Sequence, residues 1–417
     1  MKREKVFMLF LSLAACLALL AGCGAPGSSA AADLSDAQFD IGTISVPSYV
    51  RIVGLGEASH GAAQYHQMKW DVFKALVENN GCRTFIIEGD FGGALKVDQY
   101  INGSHGTVQE AVAEIGFAIY RTQEMADLVD WMRAYNETVP QEEALHFYGM
   151  DMQRFDNNKE YLFSVMDKTD PALSARYAET LAQLTDENRS SFDEAAWKDA
   201  KERVAELMNQ LDAIEGEIVE RCGQPAFEFA RECAKSMYDD CDAQLSNNYN
   251  ETRDRHMYEK AEWFLQHGDG SLLFVNGHNG HIGKTSVAGY VCLGELLSKN
   301  LGNGYYAIGT DAQKTQFQSQ MDNGEFEIME VGNENELNTL FAGGERGPYF
   351  VDFASVADDE NWERILGGQQ TITALNVGLT KMQTKMKAAY TVSIIPQAAF
   401  DGMIVFQSVT PSSILNQ

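Results

Sequence analysis

Glu57 and His60 stand three residues apart in Gly54-Leu55-Gly56-Glu57-Ala58-Ser59-His60-Gly61, and His278 and His281 stand three apart in Asn276-Gly277-His278-Asn279-Gly280-His281. Together the two segments hold three of the chain's eight histidines. An imidazole exchanges its proton near neutral pH and a neighbouring carboxylate can orient it, so this pairing suits general acid-base chemistry. The same side chains also ligate divalent cations, and spacing alone does not separate the two uses. A second carboxylate, Glu88, closes the apolar run 83–87. The candidate catalytic set is His60, Glu57, Glu88, His278 and His281. The alternative, a divalent metal, would draw its ligands from His60, Glu57, Glu88 and His278. Each residue alone has a plain structural use, such as a helix cap, an ion pair or a satisfied core histidine. Their shared position at the ends of apolar runs favours one site.

The elements that must hold these groups are strands. Residues 51–55, 83–87 and 271–275 are short, apolar and rich in β-branched residues, and each leads into one of the polar segments. In an open α/β sheet, ligands sit beyond the carboxyl ends of the strands, so segments about two hundred residues apart can meet in one crevice. Helices are expected over 63–79, 92–101 and 122–136, and a further strand over 146–149 ends at Asp151. Glycines 54, 56 and 61 are expected to allow a tight strand-to-helix junction. Ser59 has no nucleophile elbow around it and reads as a helix cap. From residue 157 to 268 the texture becomes helical, with apolar spacings of three and four over 197–222 and 227–245. Strand and helix then alternate again through 305–309, 349–352 and 402–408. The expected fold is α/β: a central, largely parallel sheet flanked by helices, with a helical insertion lobe over the active-site cleft. The expected parts are 41–156 and 269–417 for the α/β domain and 157–268 for the insertion.

The first forty residues indicate where the chain works. Lys2, Arg3 and Lys5 precede an apolar stretch, 6–20, that is short for a membrane span and suits a secretory signal. It ends in Leu20-Ala21-Gly22-Cys23, which resembles a bacterial lipobox. Residues 1–22 are therefore expected to be a lipoprotein signal peptide, with Cys23 acylated, 23–40 a flexible tether and the protein anchored to a bacterial membrane outside the cytoplasm. Without the signal, the 32 basic residues fall to 29 and the 60 acidic ones to 59, a formal charge of −30. That excludes nucleic acid as a natural partner, since phosphate binding needs a basic face. Cys82, Cys222, Cys233, Cys241 and Cys292 are odd in number and show no metal-type pair, so no disulfide framework is expected.

Several of these motifs carry a family resemblance. Gly-Glu-Ala-Ser-His-Gly at 56–61, the strand-terminal Glu88, the residues of 131–136 and 148–151, Arg253-Asp254-Arg255-His256-Met257, Gly277-His278-Asn279-Gly280-His281 and the segment 400–405 resemble the erythromycin esterase family, in the same order and over nearly all of the chain. The resemblance implies hydrolysis of a carboxylic ester or lactone by a water, without a covalent acyl-enzyme. It implies His60 as the base, Glu57 and Glu88 as orienting carboxylates, His278 at the carbonyl or leaving alcohol and His281 in support. Lys69, Tyr120 and Arg253 fall where substrate contacts are expected. Lys69 takes the place of a family arginine and Tyr120 that of a common tryptophan; an ammonium keeps the charge but loses the bidentate fork, which bears on the substrate. The expected partner is a small ester or lactone, with no cofactor. The two other readings are a metal-dependent hydrolase on the same His and Glu cluster and a surface lipoprotein that binds a ligand without turnover.

Overall fold

The computed structural model describes residues 39–415 apart from 269 and 342–347; Cys23, the signal segment 1–22 and the tether up to residue 38 lie outside the described residues. The first part of the chain runs β1 (Ile52–Glu57), α1 (Ala63–Asn80), β2 (Thr84–Asp90), α2 (Phe91–Ile101), α3 (Val108–Ala113), α4 (Gln123–Asn136) and β3 (His146–Asp151). Six helices follow: α5 (Asp156–Thr169), α6 (Pro171–Thr180), α7 (Glu194–Ala213), α8 (Glu215–Cys222), α9 (Gln224–Leu245) and α10 (Tyr249–His267). The sheet resumes with β4 (Leu273–His278), then α11 (Asn279–Ile282), α12 (Leu293–Leu301), β5 (Tyr305–Gln320), β6 (Phe326–Gly332) and β7 (Tyr349–Asp352). The remaining strands are β8 (Gln370–Thr373), β9 (Thr391–Ile394) and β10 (Gly402–Val409).

Strand order in the main sheet is β3-β2-β4-β1-β5-β10-β7, with β6 paired to the far part of β5. The pairs are parallel except β10 with β7 and β5 with β6. Every residue of β1 and β4 is buried, as expected of parallel strands covered on both faces. Register sets Glu57 opposite His278 and Gly56 opposite Gly277, so the two polar segments leave the sheet side by side. Phe73, Phe85, Phe147 and Phe274 fill one face, with ring centroids 5.1 to 5.6 Å apart along the cluster. A Leu- or Phe-sized side chain buried in this way contributes roughly 1.5–3 kcal/mol.

Glycines 54, 56 and 61 are required for closeness rather than for backbone conformation, since none has a positive φ. A Cβ on Gly56 would strike Asn279 Oδ1, and one on Gly61 would strike the backbone carbonyl of Gln318. Ser59 is not a helix cap. The N-cap of α1 is Ala62, with no side-chain bond, while Ser59 Oγ accepts from the Gly61 N–H at 3.2 Å and its backbone bridges Leu375. The lobe forms from buried stripes such as Trp197, Ala200, Val204, Leu207 and Leu211 on α7, a three-four spacing that packs against α9. The helical expectation for 197–222 is divided at Ile214, where α7 stops and α8 begins.

Candidate active site

Glu57 is the last residue of β1, and the chain turns so that His60 folds back on it, Nδ1 to Oε1 at 2.8 Å. Behind Glu57, away from the cavity, Lys69 on α1 places Nζ 2.7 Å from Oε2. Lys69 is completely buried and also donates to His66 Nδ1 at 2.8 Å, while His66 Nε2 lies 2.9 Å from the carbonyl of His60. Tyr120 closes the group with its hydroxyl 3.4 Å from Glu57 Oε1. Burial alone would raise the Glu57 pKa, but the Lys69 ammonium and the His60 hydrogen bond outweigh it and hold the carboxyl far below its usual range. Burial and the Lys69 charge push His66 down to about 3, so it is neutral.

These states assign protons. An ionised Glu57 only accepts, so His60 carries its proton on Nδ1 and, when neutral, presents a lone pair on Nε2.

His278 ends β4, and its backbone N–H donates to Glu88 Oε2 at 2.9 Å. Its Nδ1 accepts from the Gly280 N–H at 3.2 Å. Burial, then the neighbouring His60 and His281 charges, push His278 down to about 3. The ring is thus neutral, with its one proton on Nε2, a buried atom without a hydrogen-bond partner among the described residues. The His60 and His278 ring centroids are 5.3 Å apart.

His281 has the opposite charge state. Its Nδ1 lies 2.8 Å from Asp254 and its Nε2 3.2 Å from Glu88 Oε1; burial would lower its pKa, but the two carboxylates push it up to about 10. Arg253 Nη2 meets Glu88 at 2.8 Å and Asp151 at 2.6 Å. Burial opposes ionisation of Glu88, yet the His281 and Arg253 charges hold it well below the usual carboxylate range. Two cations are therefore interleaved with three carboxylates at the ends of β2, β3 and β4 and the start of α10. Arg253 Nη1 lies 3.2 Å from His281 Nε2, a contact of two donors tolerated because both also face Glu88.

A cavity of about 310 Å³ opens over these strand ends. Phe117, Ile119, Tyr120 and Val377 give it apolar lining, and Asp151, Gln153, Asn250 and Tyr290 line it together with His60, Glu88, His278, His281 and Arg253. The structure thus brings together His60, Glu88, His278, His281, Tyr120 and Arg253. It places Glu57 just behind His60, and it does not bring Lys69 to the cavity: the expected substrate contact is a sealed ion pair. Asp151, Asp254 and His66 are site residues that sequence reasoning did not place in the candidate set. Asp151 was visible as a strand end and Asp254 as part of the 253–257 motif; no local pattern signalled His66.

The alternative metal ligands fit an ion poorly. Both oxygens of Glu57 are engaged by His60 and Lys69, those of Glu88 by Arg253, His281 and the His278 backbone, and His278 Nδ1 by Gly280. Among the described residues the potential ligand atoms that cluster within 4.8 Å belong to Asp239, His256 and Glu259, in the lobe. There Lys235 already bridges the two carboxylates at 2.6 and 2.9 Å.

Comparison with known proteins fits this geometry. The sequence pattern of the Erythromycin esterase family matches residues 77–409. The chain is similar to erythromycin esterase type II of Escherichia coli, 23% identical over 74% of this chain and 82% of that one. It is also similar to YbfO of Bacillus subtilis (strain 168), whose name calls it a hydrolase, 24% identical over 88% of this chain and 85% of that one. A Bacillus cereus protein of solved structure shares the fold, with a TM-score of 0.76 at 24% identity, covering 88% of this chain and 91% of that one. The family and these names point to a hydrolase.

Proposed function

The chain belongs to the erythromycin esterase family, and from that premise we propose that it hydrolyses a carboxylic ester or lactone with a water activated by His60. The observation that carries the proposal is the pairing of a lone pair on His60 Nε2 with an unengaged N–H on His278 Nε2, on two residues that line one cavity.

His60 Nε2 takes a proton from a water as the water oxygen attacks the carbonyl carbon. The carbonyl π pair moves onto oxygen, which receives the His278 Nε2–H bond, an oxyanion-type stabilisation. Glu57 stabilises the imidazolium formed on His60. Collapse of the tetrahedral species expels the alkoxide, which takes that proton back, leaving acid and alcohol. His281, protonated up to about pH 10, neither gives nor takes a proton at neutral pH. With Arg253 it holds Glu88, and Glu88 holds the His278 backbone in place.

The test is incubation of purified protein with an ester and lactone panel, macrolides included, read by mass spectrometry for the gain of one water. Turnover lost in His60→Ala supports the reading; absence of any turnover, or full activity in that variant, overturns it. We propose also that Cys23 is acylated and holds the enzyme outside the cytoplasm. Labelled fatty acid should enter the wild type and not Cys23→Ala.

A further inference from the structure

Glu57, His60, His66 and Lys69 form a closed ring of contacts: His60 Nδ1 to Glu57 at 2.8 Å, Glu57 to Lys69 at 2.7 Å, Lys69 to His66 Nδ1 at 2.8 Å and His66 Nε2 to the His60 carbonyl at 2.9 Å. All four side chains are buried, and only His60 reaches the cavity. We propose that Lys69 and His66 are positioning residues that keep Glu57 ionised and lock His60 in the tautomer with a free Nε2. The proposal rests on His60 being the base.

The ring has a direction that follows from donor counting. Lys69, an ammonium, only donates, so it must find an acceptor on both Glu57 and His66. Accepting at Nδ1 leaves His66 its proton on Nε2, and that N–H donates to the carbonyl of His60. Glu57, having received Lys69 on one oxygen, receives the His60 Nδ1–H on the other. Each proton in the ring has one place to be. A lysine suits this position because a compact charge on a flexible stem can serve two separate acceptors, Glu57 and His66, whereas a planar guanidinium presents a wider fork. A buried ion pair adds little net stability, since desolvation offsets the attraction, so stability alone does not account for it.

The charge balance around His60 gives the readout. The groups facing it are Glu57 on β1, Lys69 and His66 on α1, Tyr120, and across the cavity His278 and Glu88. Removing the Lys69 charge leaves Glu57 uncompensated. The Glu57–His60 pair then gains a proton at higher pH, whichever of the two holds it. Lys69→Met should therefore move the acid limb of kcat/KM upward by about one pH unit or more. Lys69→Arg keeps the charge and should leave the limb at its wild-type position, even at reduced rate. A lysine that only fills space would lower activity at every pH and leave the limb unmoved, and that result overturns the proposal.

Should Lys69→Met fail to fold, the wild-type protein still decides. Ring ¹⁵N shifts of histidine-labelled enzyme at neutral pH should show His60 protonated on Nδ1 and His66 on Nε2. His66 found protonated on Nδ1, or His60 on Nε2 alone, overturns it. These shifts need no turnover, so they remain informative if no ester is hydrolysed and the reading of His60 as base fails.

Discussion

Glu57 and Glu88 end the two strands that flank β4, and both are buried carboxylates held ionised, yet their surroundings differ. Around Glu57 a single cation, Lys69, serves one carboxylate, and the histidine next to it, His66, stays neutral. Around Glu88 two further carboxylates, Asp151 and Asp254, draw in Arg253 and keep His281 charged. Histidines of the same type, within one cavity wall of each other, thus differ by about seven pH units in affinity for a proton: about 3 for His66 and His278, about 10 for His281. The difference teaches that direct contact of carboxylates with the ring nitrogens, more than burial, sorts these rings into those that can work as neutral groups and one that serves as a fixed charge. Burial lowers all three.

The largest expected effect tests the side on which protons move. His60→Ala should lower kcat/KM by about 10²–10⁴ or more, the range of a lost general base, with the fold intact by circular dichroism. His278→Leu removes the donor proposed for the developing oxyanion and should cost about 10²–10³ in kcat, with a smaller change in KM. The other side should answer first in stability. Glu88→Gln takes from Arg253 and His281 the carboxylate they share, leaving each a single carboxylate, Asp151 and Asp254, and should lower unfolding free energy by about 1–3 kcal/mol, measured by denaturant titration.

The two sides should also separate by pH. His281 goes from about 6.5 unfolded to about 10 folded, so its stabilisation is complete below 6.5 and fades as pH rises through 10. His66 and His278 are depressed to about 3, so the unfolded chain binds protons the folded one refuses, and stability falls as pH drops from 6.5 toward 3. His281→Asn should flatten the alkaline slope and leave the acid slope; the reverse result breaks the comparison. The smallest effect belongs to Tyr120→Phe, which loses a 3.4 Å contact to Glu57 and should change kcat/KM only a fewfold. Chelator should leave ester turnover unchanged, since the carboxylate oxygens of the site are already engaged; a loss restored by one divalent ion would overturn that expectation.

The strands that bear the site were readable because apolar, β-branched runs broke at polar residues: β1, β2 and β4 lie within two or three residues of expectation. β6 was not read. Its Met329 and Val331 face inward between exposed Glu330 and Gly332, an alternation too short to stand out from a loop. The break at Ile214 has no proline and no glycine at the break itself to announce it, and packing decides it. In the site, the groups at strand ends were legible and their charge states were not. Lys69 looked like a cavity residue because it stands where the family carries an arginine; its acceptors, Glu57 and His66, sit on either side of a turn whose path only the fold defines. Asp254 stood in a motif, but its partner was hidden for the same reason, since it meets His281 across 27 positions of chain.

Strand order has one more consequence, for the chain as it is made. β1, the strand that carries Glu57, has β4 and β5 as its neighbours, and both arrive only after the whole helical lobe has been synthesised. β2 and β3 can pair early, but β1 must wait, apolar and with both edges open, for more than two hundred residues to follow it. An unpaired edge of this kind invites association with other chains. Nascent or truncated chains that stop short of residue 273 carry the future base three residues beyond an unpaired apolar strand, so the reacting centre depends on the chain being finished.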